Sequence, residues 1–333
     1  MIKTLISDYL TKKFISNDLI ENFRFLNSNQ QDELRNSLLN NHYTLDRGYD
    51  KEYLKSNFGK KAMADAAENR LIAARYTLMP WLSKNINLDN SIILEIGCGS
   101  GSGTVALAEQ AQYVFGLDID SDIIAVAKDR CRIHNINNVE FYNSNIMDFE
   151  QKGSENINVV VFFASLEHML WNDRKSALKK AWDLLPNNGY LIIIDTPNRL
   201  FFYDGHTTDL PFYNWLPDDV SFEYIKNKSN HLLNHLDSNI SKPELLLKGR
   251  GISYHELEIS LSRTIDQIKV IDSLNEYENR EKKIFNLLKT FHRILKLRKK
   301  SIELRYTQLM NKYQPNLHTG FFQPYINMIF QKE

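Results

Sequence analysis

The sequence is poor in cysteine: Cys98 and Cys131 are the only two in 333 residues. Two thiols cannot build a disulfide framework, and neither sits in a CxxC or Cys/His spacing that would hold a structural zinc ion. Both are expected to stay reduced. Net charge is missing too, since 41 Lys and Arg residues balance 41 Asp and Glu residues. No global basic field draws the chain to nucleic acid or to an anionic membrane, so such a partner would have to use a local patch. No apolar run approaches the roughly eighteen residues of a membrane helix, and the opening MIKTLISDYLTKKF has no signal-peptide pattern. Cytoplasm is the expected location. What is present, 43% apolar and 25% charged residues, is the balance of an ordinary soluble globular protein.

Residues 1 to about 88 read as helical, with apolar positions three and four apart in IENFRFL and in AENRLIAARYTLMPWL. Pro80 is expected to kink or finish the second helix before the polar break SKNINLDN. Near Asn90 the pattern changes. Short β-branched runs (SIILEIG, YVFGLDI, VEFYNSNI, INVVVFFAS, YLIIIDT) alternate with amphipathic stretches, as strands separated by helices do in a doubly wound parallel α/β sheet. The division follows: a helical cap at 1–89, a core at 90–200, and a lid, helical insertion and closing strands at 201–333. Ligands in such sheets bind outside the carboxyl ends of the strands.

After Asp195 the alternation lapses into PNRLFFYDGHTTDLPFYNWLP, long enough and aromatic enough to be read as a functional lid. Beyond it, Ser253 and Glu256 have the spacing of a capping box opening the helix HELEISLSR. IKVID reads as a strand, 276–312 as a long helical pattern, and PYINMIFQK as a last strand returning to the sheet. Between Lys282 and Lys312 ten Lys and Arg residues face only Glu303. That stretch reads first as a solvated helix face, and second as a peripheral dock for an anionic surface or substrate.

The most informative segment is ILEIGCGSGSGTVALAEQ, residues 93–110, a strand running through a glycine turn into a helix. Gly97, Gly99 and Gly101 let the backbone turn sharply and approach a ligand. A dinucleotide fingerprint needs Gly-x-Gly-x-x-Gly, but the sixth position is Ser102 counted from Gly97 and Thr104 counted from Gly99. The Gly-Lys-Ser/Thr ending of a triphosphate loop is absent as well. What remains, Glu-x-Gly-x-Gly-x-Gly from Glu95, resembles the class I S-adenosylmethionine-dependent methyltransferases over residues 91 to about 196.

That resemblance implies S-adenosyl-L-methionine as cofactor. It places Glu95 near the cofactor's amino group, Gly97, Gly99 and Gly101 against its methionine part, and Asp118 on the ribose hydroxyls. Asp120 is ranked lower, as the N-cap of the next helix. Ile119 and Ile146 would pack against adenine, Asn145 would meet the adenine amine or else serve its own turn, and Phe163 ends the strand near the methionine end. The LEH that follows is similar to the ubiquinone-pathway O-methyltransferases, whose Glu-x-x-Glu-His cluster can hold a divalent cation. Ala164 replaces the first acid here, so no metal site is expected.

Methyl transfer to a hydroxyl asks for a general base, and His168, His206 and His255 are the candidates. His206 is favoured for substrate contact because Asp204 and Asp209 flank it; Asp195 could orient a histidine or a substrate hydroxyl. Phe163-Ala164-Ser165-Leu166 does not match the Asn/Asp-Pro-Pro-aromatic motif of nucleic-acid amine methylation, so nucleic acid is not the expected partner. The expected reaction is O-methylation of a small molecule or glycan precursor. The rivals are a cofactor-binding module without catalysis, an RNA methyltransferase and an NAD-dependent oxidoreductase.

Overall fold

In the computed structural model, which describes residues 26–45, 47–150, 157–228, 241–285 and 293–333, the β-branched runs are strands. β1 (Ile92–Ile96), β2 (Tyr113–Asp118), β3 (Val139–Asn143), β4 (Ile157–Phe163) and β5 (Tyr190–Pro197) run parallel. The lid carries a small hairpin, β6 (Tyr203–Asp204) with β7 (Leu210–Pro211), which the sequence did not announce. β8 (Lys269–Ser273) and β9 (Tyr325–Gln331) close one edge, giving the order β3-β2-β1-β4-β5-β9-β8 with β9 antiparallel to both neighbours. The final strand therefore returns to the sheet as expected. The order reverses between β1 and β4, the topological switch point where α/β sheets open a crevice.

Successive residues of a strand face opposite sides, and both sides here are buried. Leu94, Ile96, Val160, Phe162, Leu191 and Ile193 belong to one apolar core, whereas Ile93, Val159, Val161, Ile192 and Ile194 belong to a second. This explains why the central strands read as continuous apolar runs.

On the amino-terminal side, α1 (Ser28–Asn41) opens with a full capping box between Asn27 and Gln30. Most of IENFRFL lies outside the described residues. α2 is a helical run over 57–85, interrupted by π turns at Asp65–Asn69 and Ala74–Leu78. It passes Pro80 and ends only at Asn85, inside the polar stretch where a stop was expected; Pro80 sits in the first turn after the second π segment, where its missing N–H costs least. α3 (Ser102–Ala108), α4 (Ser121–Ile133) and α5 (Trp171–Leu184) connect the parallel strands.

Beyond the lid lie α6 (Asp218–Lys228), α7 (Lys242–Leu247), α8 (Tyr254–Leu261), α9 (Leu274–Phe285) and α10 (Arg293–Tyr313). The long helical pattern at 276–312 is thus carried by α9 and α10, and part of the basic stretch 282–312 lies outside the described residues. The expected capping box of α8 does not form. Ser253 makes no side-chain bond to the helix, and Glu256 turns instead to the buried guanidinium of Arg174, 2.6 Å away. A desolvated cation is the stronger partner. No described helix is long and apolar enough to cross a membrane.

Candidate functional site

At the carboxyl end of β1 the chain turns through Gly97, Gly99 and Gly101, all with positive φ, into α3. Two of these glycines do different work. A Cβ on Gly97 would lie 2.5 Å from Cβ of Ser165, so this glycine lets the turn pack against the loop after β4. A Cβ on Gly99 would meet nothing within 4 Å, which leaves bare main chain facing open space.

Asp118, at the end of β2, accepts from the Gly99 amide at 2.8 Å and from the Asp120 amide at 3.0 Å. Each carboxylate oxygen keeps a lone pair for a further donor. Asp120 caps α4 as expected, accepting from the Asp122 and Ile123 amides, and Arg47 bridges Asp120 and Asp122. Ile119 stands 78% exposed beside this carboxylate. An unshielded aliphatic side chain there suits the flat face of a ligand ring.

Glu95 is buried and takes the Thr104 hydroxyl at 2.5 Å; burial pushes its pKa up to about 8. Gly103 is the partner that sequence reasoning missed: a Cβ there would be 2.4 Å from Oε1 of Glu95 and 2.8 Å from the Phe163 ring. Its signal was a fourth glycine inside the first turn of a helix, where glycine is otherwise unfavourable.

The structure sends two other expected contacts elsewhere. Asn145 spends its amide on its own turn, Oδ1 accepting from the Met147 and Asp148 amides and Nδ2 donating to Asp148. This is the turn role weighed against the adenine amine. Ile146 is buried in the core beneath the sheet edge, while its neighbour Met147 is 52% exposed.

Beyond β4 the backbone is strained. Ala164 has φ +48° and Asp195, across on β5, has φ +52°, neither being glycine. Such strain persists where surrounding contacts hold it, and it collects at sites of function. The 3₁₀ turn Leu166–His168 follows. Glu167 is fully buried near the Thr196 hydroxyl, and burial pushes its pKa up to about 8. His168 is half exposed and its Nδ1 lies 2.9 Å from the carbonyl of Leu247.

His206 comes from the lid to meet them, its ring 5.9 Å from that of His168. Carboxylate and imidazole atoms of Glu167, His168 and His206 lie within 4.8 Å of one another. The sequence, with Ala164 in place of an acid, gave no reason to expect three donors together; His206 is the donor that linear spacing could not reveal. Asp204, which flanks His206 in sequence, does not bond to its ring. Its carboxylate is consumed by the His206, Thr207 and Thr208 amides and the Thr208 hydroxyl. The ring instead has Thr207 Oγ1 at 3.1 Å from Nδ1, and that hydroxyl donates to the Gly249 carbonyl. His255 is not part of the group: it is exposed on α8, stacked on Tyr254 at 3.9 Å.

A cavity of about 250 Å³ opens beside His206, lined also by Phe201, Tyr203, Asn214 and Tyr325. Asn214 is buried and its side-chain carbonyl has no donor. Of the expected lid aromatics, Phe201 and Tyr213 are buried, while Phe212 and Trp215 form an exposed pair 4.9 Å apart.

Comparison with known proteins fits this geometry. Residues 93–189 match the family described as a methyltransferase domain. A Mycolicibacterium smegmatis protein named "Probable S-adenosylmethionine-dependent methyltransferase" is 32% identical over 122 residues, 36% of this chain and 44% of its own length. The chain therefore spans less than half of that relative. The ubiquinone biosynthesis O-methyltransferase of Coxiella burnetii is 26% identical over 201 residues, 56% of this chain and 78% of its own. The YcgJ protein of Bacillus subtilis, a solved structure, aligns with 78% of this chain and 98% of its own at 14% identity and a TM-score of 0.42. The matched segment and the sheet built around it give this chain the α/β Rossmann-like fold of class I methyltransferases, with a methyltransferase-domain match at its centre.

Proposed function

We propose that the protein is an S-adenosylmethionine-dependent methyltransferase that methylates a hydroxyl of a small molecule or glycan precursor. The observation that supports the acceptor chemistry is the cavity that His206 lines together with aromatic rings and the acids Asp204 and Glu303.

The residues suit the cofactor. Bare main chain at Gly99, free lone pairs on Asp118 and exposed Ile119 would hold the methionine part, the ribose and the adenine, and Glu95 lies behind the glycine turn. When bound, the cofactor supplies an electrophilic methyl on a sulfonium. The chain's own work is to align the acceptor and remove its proton. Desolvation among the packed lid segments, and then His168, hold the His206 pKa below its ordinary value, so the neutral imidazole is present to accept that proton. Thr207 and Gly249 fix the ring's position.

The test is titration with S-adenosylhomocysteine followed by methyl release to a panel of hydroxyl acceptors. Asp118→Ala should weaken the titration by about 1.5–3 kcal/mol. His206→Gln should keep it and lower turnover by about 10²–10⁴-fold. A cleft that takes no S-adenosylhomocysteine ends the proposal, and nicotinamide dinucleotide binding in its place would favour an oxidoreductase. The three clustered donors favour one second reading: Glu167, His168 and His206 would hold a divalent cation that polarises the acceptor oxygen. Saturable Mn²⁺ binding lost in His206→Gln supports it; no binding removes it.

A further inference from the structure

A second cavity, of about 290 Å³, lies behind the β4 loop and holds charges that the methyl-transfer chemistry does not use. Arg174 from α5, Arg199 from the lid and Arg250 from the segment before α8 line it, together with Asp218 and Glu256. Three guanidiniums against two carboxylates leave one positive charge in excess. The pairing is incomplete at the atomic level as well. Arg174 pairs with Glu256 at 2.6 Å, while Asp218 is shared between Arg250 at 3.0 Å and Arg199 at 3.4 Å. Arg174 and Arg250 are both more than nine-tenths buried; Nε of Arg174 and Nε of Arg250 have no acceptor, and Arg250 otherwise has the Tyr213 side chain beside it, its ring centroid 5.3 Å away. Buried guanidinium N–H groups without acceptors are expensive to maintain.

The cavity shares its walls with the candidate acceptor site. Met169, which lines it, directly follows His168, and Leu246, which also lines it, precedes the Leu247 carbonyl that meets the His168 ring. Arg174 donates to the Leu166 carbonyl, one residue before Glu167. A group seated among the arginines would therefore be anchored next to the chemistry. We propose that this cavity binds a phosphate group carried by the methyl acceptor. Guanidiniums converging from three separate elements match an anion with several oxygens, whereas a carboxylate is satisfied by a single fork. The link to the acceptor rests on the methyltransferase reading; the anion site itself does not.

Inorganic phosphate is the probe, titrated into the full chain at constant ionic strength beside acetate and chloride, with unfolding temperature and heat as readouts. Phosphate should bind saturably and raise the unfolding temperature more than acetate does. Arg199→Gln, which alters the most exposed of the three arginines, should weaken phosphate about tenfold. Asp218→Asn frees two guanidiniums and should tighten it several-fold, an opposite-signed change that a purely structural network would not give. Absence of saturable phosphate binding, equal response to acetate, or one phosphate affinity across wild type and both variants overturns the site. S-adenosylhomocysteine is titrated into the same samples. Phosphate binding without it retains the anion site and removes its role in acceptor binding, and the converse removes the anion site alone.

Discussion

The glycine turn shows how the same residue type serves packing at one position and binding two residues later. At Gly97 an added methyl meets both a left-handed backbone and Ser165, so Gly97→Ala should cost roughly 2–4 kcal/mol in a denaturant titration. At Gly99 only the backbone penalty applies, about 1–2 kcal/mol, and the methyl would project into the space assigned to the cofactor. The pair should therefore separate: Gly97→Ala loses stability first, Gly99→Ala loses S-adenosylhomocysteine affinity first. Equal effects on both properties would contradict the geometry. Glu95 offers a test in pH. Its folded pKa, about 8, lies above its unfolded value, so the stability it contributes is complete at acid pH and is lost as pH rises toward 8. Glu95→Gln keeps an acceptor for Thr104 and removes that slope, at most about 1.4 kcal/mol per pH unit. Parallel stability curves for wild type and variant between pH 5 and 8 would show that Glu95 does not take up a proton on folding.

Among the elements, the π turn of α2 is the one whose purpose emerges only in three dimensions. Arg130 of α4 is fully buried and donates to the Ala66 and Ala67 carbonyls in that turn, and to the Ser100 carbonyl in the glycine turn. The wide turn presents carbonyls that a regular helix would have used internally. One side chain thus ties the amino-terminal helices to the loop that would meet the cofactor. Arg130→Met leaves those carbonyls without their donor and should cost roughly 3–5 kcal/mol, with weaker S-adenosylhomocysteine binding even in the folded fraction. Unchanged affinity would make Arg130 a stability residue only. No local pattern announced this, because an arginine on an amphipathic helix reads as solvent-facing. The strands of the seven-stranded sheet, by contrast, were legible as apolar runs bounded by turn residues, and YINMIFQ kept that signature at the far end of the chain. So was the placement of Asp118 at the end of the strand after the glycine turn. The Glu167–His168–His206 group was half legible. Two members adjoin in sequence, and the third arrives through a lid whose path depends on the β6–β7 hairpin and Asp204-capped turn.

For the molecule as a whole, chemistry collects where the sheet can afford irregular backbone. Both faces are sealed by apolar cores, and the parallel ladder fixes β1 against β2 and β4 in continuous register through their carboxyl ends. Loops leaving those ends are free to vary, and they hold the positive-φ residues Gly97, Gly99 and Ala164. A ligand that fits this edge stabilises the folded state by mass action, about 2.7 kcal/mol at a hundredfold excess over its dissociation constant. That stabilisation should be unevenly placed. With S-adenosylhomocysteine, hydrogen exchange should slow at 97–104, at 118–120 and at 164–168, whereas the turn 88–91 entering the amino end of β1 should exchange as before, since it lies at the opposite edge of the sheet. Protection spread evenly over both ends of the sheet would mean general tightening rather than occupancy of the cleft. Protection confined to the amino ends would place the ligand on the wrong edge and take the proposed acceptor site with it.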